Sequence, residues 1–171
     1  MPWLIPPPFA AAKGGSAQRA GPFGPAKGGG IIAVLVVGLD RLTKLLIQST
    51  FVPGQSLPLI PSIVHLTYVQ NTGAAFGLFH GQVWWLTVVS MVVCGRIVLE
   101  LRRSVSSTSL VVISLSLVLG GAIGNVIDRV WLGYVVDFLD LRVWPVFNVA
   151  DSCITIGVGL LLWQSLVKRR P

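Results

Sequence analysis

Residues 110–127, LVVISLSLVLGGAIGNVI, decide the fold class of this chain. The stretch is 18 residues long and contains no charged side chain. At about 1.5 Å of rise per residue, a helix of this length approaches the roughly 30 Å hydrocarbon core of a bilayer. Because lipid offers the backbone no hydrogen-bond partner, only a helix or a closed barrel can cross it. The stretch therefore predicts a transmembrane helix.

Three further apolar runs surround this stretch, at residues 31–47, 82–99 and 147–167. The first of them carries Asp40, Arg41 and Lys44 in its second half. We expect an all-α membrane protein with four transmembrane helices. Residues 31–167 would form this integral membrane domain, between a disordered Pro/Gly-rich tail at 1–30 and a basic C-terminus at 168–171.

The composition of the whole chain agrees with a membrane protein. Of its 171 residues, 53% are hydrophobic and only 11% are charged, against roughly 25% charged in soluble domains. The net charge of +7 would also suit a nucleic-acid-binding protein. Such a protein gathers its cations on one face or groove, whereas here they lie in small groups between apolar runs. We therefore exclude nucleic acid as a partner.

The positions of the cations predict the orientation in the membrane. With four helices, the N-terminal tail, the loop after the second helix and the C-terminus fall on one side. These regions carry Lys13, Arg19, Lys27, Arg102, Arg103, Lys168, Arg169 and Arg170. The positive-inside rule places that side, with both termini, in the cytoplasm. Residues 49–81 and 128–146 would then lie on the outer side.

The first outer segment, residues 49–81, has no charged residue. Its stretch Ile63–Val69 is rich in β-branched and aromatic side chains that alternate loosely with polar ones. This pattern is typical of β-strands. We expect a small β-containing extracytoplasmic segment at the membrane interface.

Acidic residues cluster near the second outer segment. Four of the six acids in the chain, Asp128, Asp137, Asp140 and Asp151, lie within 24 residues. A carboxylate at the centre of a bilayer costs about 2.5–3.5 kcal/mol on insertion scales, so acids at membrane depth are functional candidates. The cluster is the strongest chemical signal in the chain.

Two asparagines accompany these acids at a spacing of three residues. Asn125 precedes Asp128, and Asn148 precedes Asp151. On a helix, residues three apart lie on one face. We therefore expect each amide to hydrogen-bond the acid of its own pair.

Two convergent carboxyl groups in a poorly hydrated site share a proton, because both cannot ionise cheaply. Such a pair can hydrolyse a peptide bond with neither a metal nor a nucleophilic side chain. The residues alone leave other interpretations open. In a structural role, Asp128 would pair with Arg129 or another cation, and Asp140 with Arg142. The acids would also suit a proton-coupled carrier, or the chain would be a non-catalytic assembly subunit.

Several short motifs occur together in this chain. They are NTGAAFG at 71–77, GNVIDR at 124–129, VVDF at 135–138 and FNVAD at 147–151, preceded by Asp40 and Lys44 in the first run. In this order, over about residues 31–167, the chain resembles the lipoprotein signal peptidase family, bacterial signal peptidase II. The resemblance implies a membrane aspartic endopeptidase that uses no cofactor.

The resemblance also implies roles for single residues. Asp137 and Asp151 match the catalytic aspartates of the family. Residues that support the site or bind substrate would be Asp40, Lys44, Asn71, Gly73, Phe76, Asn125, Asp128, Arg129 and Asn148. No residue is expected to bind a metal.

The substrate that the resemblance implies is a diacylglyceryl-modified prolipoprotein, cut just before its lipidated cysteine to remove the signal peptide. The partners would be this substrate and membrane lipid, with neither nucleic acid nor metal. The enzyme would lie in the bacterial cytoplasmic (inner) membrane as a multi-pass protein, with its active site toward the outer face.

Structural interpretations stand beside these roles. Asp40 and Lys44, four residues apart, would neutralise each other as an ion pair. The NTG sequence at residues 71–73 also suits a tight turn. The glycines at 120, 121 and 124 are expected to permit close helix packing. Asp140 is interpreted as a solvated loop charge.

Overall fold

A computed structural model of the chain describes residues 25–73, 79, 81–103 and 109–168. Expectations for Phe76, for the tail up to residue 24 and for the basic residues 169–170 lie outside this range. The described elements, in chain order, are α1 (Pro25–Thr50), β1 (Ser56–Ile60), β2 (Val64–Asn71), α2 (Val83–Arg103), α3 (Ser109–Trp131), β3 (Val135–Asp140) and α4 (Val149–Lys168).

Helix α1 begins six residues earlier than expected, at Pro25 instead of Ile31. Proline is tolerated in the first helical turn because the N–H it lacks would have no partner there. The following glycines are weak helix formers, but Gly29 packs against α3, where an added Cβ would come within 2.8 Å of Ser116 Oγ. Tertiary packing therefore stabilises this turn, and the expectation of disorder is wrong for residues 25–30.

Within the described part of the chain, three helices are long and apolar enough to cross a membrane. They comprise Val83–Arg103, Leu110–Trp131 and Val149–Val167. Helix α1 is 26 residues long but falls outside this set, since its apolar sequence includes Asp40, Arg41 and Lys44. Three of the four expected transmembrane helices are therefore candidate membrane spans by length and composition.

Helix α3 is the centre of the helix bundle, because its contacts with α1, α2 and α4 are more extensive than the contacts among those three helices. The core between α1, α2 and α3 contains Ala33, Ile97, Val118 and Leu119. Small residues allow the backbones to approach closely: a Cβ on Gly120 would lie 2.8 Å from the carbonyl oxygen of Ala33. The packing role expected for the glycines of α3 is confirmed.

The three strands form one antiparallel sheet in the order β1-β2-β3. Strand β2 confirms the prediction of β structure around Ile63–Val69. A cluster of Ile47, Tyr68, Val136 and Phe138 joins the sheet to the end of α1. The bundle and the sheet together hold the region between α3 and α4 in place.

Strand β3 was not expected, because the sequence placed residues 135–140 in the segment that joins two helices. It pairs with β2, so that Val69 lies opposite Asp137 and His65 lies opposite Asp140. An irregularity between these two pairs changes the register. Since residues three apart in a strand point to opposite faces, Asp137 and Asp140 face different environments.

Candidate active site

The two aspartates expected to be catalytic open into the same cavity. Asp137 comes from β3 and Asp151 from the first turn of α4. The cavity has a volume of about 600 Å³ and lies among β2, β3, α3 and α4. Its other lining residues include Val69, Asn71, Gly73, Asn125, Arg129, Trp144, Phe147, Ile154 and Thr155.

Asp151 is held by a reciprocal cap at the start of α4. The side-chain Oδ1 of Asn148 accepts a hydrogen bond from the backbone N–H of Asp151 at 2.9 Å. In return, Asp151 Oδ2 accepts one from the backbone N–H of Asn148 at 3.3 Å. This is the arrangement of a capping box, in which two otherwise unpaired N–H groups are satisfied. The cap fixes the carboxyl group of Asp151 at the N-terminus of α4.

Asp137 is held by two amides and is almost fully buried, with 1% of its surface exposed. Asn148 Nδ2 donates to its Oδ1 at 2.7 Å, and Asn71 Nδ2 donates to its Oδ2 at 2.8 Å. Burial, together with the charge of Asp151, raises the pKa of Asp137 to about 7, although both amides act to lower it. Near neutral pH this carboxyl group can therefore hold or release a proton.

Asn125 links the second aspartate to the rest of the site. Its Nδ2 donates to Asp151 Oδ1 at 2.8 Å, and its Oδ1 accepts from Asn148 Nδ2 at 3.2 Å. The expected pairing of Asn125 with Asp128 is wrong, because Asp128 turns toward α1. Asn148 and Asp151 do pair, but each side chain accepts a hydrogen bond from the backbone N–H of the other residue. The side-chain N–H of Asn148 donates to Asp137 instead.

Asp128 belongs to a group of charges that we call the ion cluster: Asp40, Arg41, Lys44 and Asp128. All of them except Arg41 are fully buried. Lys44 Nζ lies 2.8 Å from Asp40 Oδ2 and 2.9 Å from Asp128 Oδ2. Arg41 also pairs with Asp128. The ion pair expected between Asp40 and Lys44 is confirmed. The pairing expected for Asp128 is confirmed with other cations, Arg41 and Lys44, and not with Arg129. None of the four lines the cavity.

Arg129 lies on the cavity wall instead. Its Nη2 donates to the carbonyl oxygen of Gly73 at 3.4 Å. The N–H of Gly73 donates to Asn71 Oδ1 at 2.9 Å, which confirms the turn expected at NTG. Arg129, Asn71 and Gly73 are thus brought together beside the aspartates.

Asp140 is not a solvated loop charge, as the sequence indicated. It ends β3 with 5% of its surface exposed, on the face opposite Asp137. Thr67 Oγ1 donates to it at 2.9 Å, and Arg142 donates through its backbone N–H at 2.8 Å and its side chain at 3.1 Å. Burial alone would raise the pKa of Asp140, but these hydrogen bonds lower it.

Two features of the site were missed from the sequence. Arg41 is one of three charges in the first apolar run, but no role was predicted for it. A charged side chain within an apolar run is a functional candidate, and that rule would have included Arg41. The wall formed by residues 144–147 has ordinary apolar side chains and no chemical signal. Among the described residues, no group of three or more His, Cys, Asp or Glu side chains could hold a metal ion.

Comparisons with known proteins agree with this geometry. The model of a protein family described as "Signal peptidase (SPase) II" matches residues 32–167. A lipoprotein signal peptidase of Moorella thermoacetica is 49% identical over 137 residues, which cover 80% of this chain and 91% of that protein. A lipoprotein signal peptidase of Halothermothrix orenii is 44% identical over 137 residues, covering 78% of this chain and 94% of that protein.

Solved structures show the same fold. A bacterial membrane enzyme structure obtained by the in meso method at 2.3 Å resolution matches with a TM-score of 0.78 and 33% identity. The match covers 84% of this chain and 90% of that one. With the motifs, the cavity and these likenesses in agreement, the chain belongs to the signal peptidase II family, whose relatives are lipoprotein signal peptidases.

Proposed function

We propose that this protein is an aspartic endopeptidase that removes signal peptides from lipid-modified prolipoproteins. The observation that carries the proposal is the convergence of Asp137 and Asp151 on one cavity, where Asn148 contacts both. Asn148 joins the two carboxyl groups across β3 and α4. This arrangement supports a pair of carboxyl groups that share one proton.

In the proposed reaction the two aspartates have different roles, because their environments differ. Asp137, with its pKa raised to about 7 by burial and by Asp151, holds the shared proton. Asp151 acts as the base and removes a proton from a water that lies between the two carboxyl groups. The hydroxyl oxygen attacks the scissile carbonyl carbon, while Asp137 donates its proton to the carbonyl oxygen.

Breakdown of the resulting tetrahedral intermediate completes the hydrolysis. The proton taken up by Asp151 passes to the leaving amine as the C–N bond breaks, and Asp137 regains a proton from the hydroxyl groups. The two carboxyl groups therefore return to their starting states.

The proposed substrate is a diacylglyceryl-modified prolipoprotein, cut just before its lipidated cysteine. Its acyl chains would stay in the bilayer beside the helices while the extended peptide enters the cavity. The wall of Trp144, Pro145, Val146 and Phe147 supplies apolar surface at this entrance. Confinement to the membrane reduces the entropic cost of bringing the enzyme and its substrate together.

In this proposal α1 is the fourth transmembrane helix. The side chains of Val34 and Leu35 are 70% and 65% exposed, and they present an apolar face to lipid. Asp40 and Lys44 are fully buried and neutralise each other, so these two charges do not meet lipid. The enzyme would lie in the bacterial inner membrane with the cavity at its outer face.

The deciding experiment is cleavage of a diacylglyceryl-modified prolipoprotein by the purified protein in detergent. We expect Asp137→Asn and Asp151→Asn each to lower kcat on the order of 10⁴-fold, because each removes one half of the acid–base pair. Asp140→Asn is the matched control, since it changes an acid of the same strand that faces away from the cavity. It should retain activity.

Two results would contradict the proposal. Near-native turnover by a folded Asp137→Asn or Asp151→Asn variant would rule out the aspartate pair. A native protein that leaves the prolipoprotein intact, but dissipates an ion gradient across vesicles, would favour a carrier.

A further inference from the structure

The ion cluster contacts the backbone directly beside both aspartates of the proposed pair. The N–H of Ala150 donates to Asp40 Oδ1 at 3.0 Å, and the N–H of Val136 donates to Asp128 Oδ2 at 3.1 Å. Ala150 and Val136 are the residues immediately before the two aspartates. Each carboxylate of the cluster therefore anchors one half of the site.

The anchor on β3 acts where the sheet offers no support. Strand β3 lies at the end of the sheet, so one of its edges has no neighbouring strand at Val136. Asp128 accepts from the N–H of Val136, and Asn148 Nδ2 donates to its carbonyl oxygen at 3.3 Å. Side chains thus replace the missing strand and fix the backbone that presents Asp137.

Lys44 connects the two anchors and also orients Asn125. Its ammonium group can only donate hydrogen bonds, and it donates to Asn125 Oδ1 at 3.0 Å. The opposite end of that amide, Nδ2, must then point to Asp151. If the amide were reversed, its oxygen would face the carboxylate and repel it.

The charge of the cluster is costly, and packing alone does not explain it. Buried ion pairs can often be replaced by apolar side chains of similar volume without loss of stability. The bundle around the cluster already has an apolar core between α1, α2 and α3. What apolar side chains could not supply is the pair of acceptors for Ala150 and Val136 and the donor for Asn125.

We propose that Asp40, Lys44 and Asp128 are positioning residues that set the separation and orientation of the Asp137 and Asp151 carboxyl groups. This inference rests on the proposed function. The three residues act through two backbone N–H groups and one asparagine, without contact to the substrate. Their loss should lower the rate of the chemical step and leave substrate binding intact.

The test uses the charge-balanced variant Asp40→Leu/Lys44→Met, which removes the acceptor for Ala150 and the donor for Asn125 and leaves Arg41 and Asp128 as a neutral pair. We expect kcat to fall about 100-fold, the effect typical of a small misplacement of reacting groups. Affinity for a lipopeptide with a non-cleavable bond at the scissile position should not change. Arg142→Met is the control. It removes the cation that pairs with Asp140, which lies on the face of β3 opposite Asp137, and it should retain kcat.

A second measurement separates positioning from a general loss of structure. If Lys44 acts through Asn125, adding Asn125→Ala to Asp40→Leu/Lys44→Met will lower log kcat by less than Asn125→Ala does in the native protein. Should the charge-balanced variant not fold, Lys44→Arg replaces it. That variant keeps the charge but cannot place one nitrogen between both acids and Asn125, so the same loss of kcat is expected.

Three results would overturn the inference: native kcat in the folded variants, additive losses, or a loss of affinity equal to the loss of kcat. These are distinct from failure of the proposed function. A native protein that leaves the lipopeptide substrate intact is recognised before any variant is compared, and it would overturn both.

Discussion

A single residue, Asn148, joins the parts of the site at the finest scale. Its side chain caps α4 through Oδ1 and donates through Nδ2 to Asp137, Asn125 and the carbonyl oxygen of Val136. The first contact supports the helix, and the others arrange the cavity. Because one side chain performs both tasks, substitutions at this position can separate stability from activity.

We predict that Asn148→Ser and Asn148→Ala impair the reaction equally but differ in stability. Serine caps helices about as well as asparagine and alanine does not, so Asn148→Ser should be the more stable of the two in detergent by about 1 kcal/mol. Both variants lose the amide that donates to Asp137, a contact worth about 1.5–3 kcal/mol for a charged acceptor. We expect kcat to fall by about 10- to 100-fold in both.

The pH profile of Asn148→Ser shows in which direction the pKa of Asp137 changes when the amide is lost. The Asn148 amide favours the ionised form of Asp137 and lowers its pKa from what burial and Asp151 would otherwise give. Its removal raises that pKa, so Asp137 keeps its proton to higher pH. The pKa of about 7 for Asp137 predicts that native activity falls on the alkaline side near pH 7, and in the variant this fall should move to higher pH. A downward shift would contradict the assignment of Asp137 as the acid.

At the scale of elements, the contact between α3 and α4 places Asp151. Gly121 of α3 faces the first turns of α4, where an added Cβ would lie 2.8 Å from Ile154 Cγ1 and 3.2 Å from the carbonyl carbon of Ala150. Such distances leave no room for a methyl group. The position of α4 relative to α3 therefore depends on this glycine.

We predict that Gly121→Ala displaces α4 and reduces both stability and activity. Overpacking of this kind costs about 1–3 kcal/mol, and Asp151 would move with the helix. The control is Gly159→Ala on α4, where nothing lies within 4 Å of the added Cβ. That change should be neutral, or stabilise by up to about 1 kcal/mol, because alanine favours helix. Equal thermal midpoints and rates for the two variants would refute the role of Gly121.

The elements also differ in how far local sequence predicts them. The helices follow from apolar runs, and β2 follows from alternating β-branched and aromatic residues. Strand β3 has no comparable signal, since its six residues form a strand only by pairing with β2. The hydrogen bond between Asn71 and Asp137 joins residues 66 positions apart. No local pattern could have indicated that contact.

At the scale of the whole molecule, the positions of the cations predict the topology. With α1 as a fourth span, the β1–β2 turn would lie outside the cell and the end of α2 inside. After replacement of Cys94 and Cys153, single cysteines at Ser62 and Arg103, both exposed, can report the side. A membrane-impermeant maleimide should label Ser62→Cys in intact cells and Arg103→Cys only after permeabilisation. Labelling of both in intact cells would mean that α2, the helix between them, does not span the membrane.

The sequence by itself determined the membrane class, the approximate helices and the family, and it supplied the acids and amides of the candidate site. These are properties of composition and of motifs within single segments. The tertiary structure decided that Asp137 lies on a strand, that Asn125 serves Asp151 and not Asp128, and that Asp140 is buried on the opposite face. It also joined Asp40 to the N–H of Ala150, 110 residues away. Such contacts depend on the packing of α1, α3, α4 and the sheet, because hydrogen-bond partners are chosen by distance in space and not along the chain.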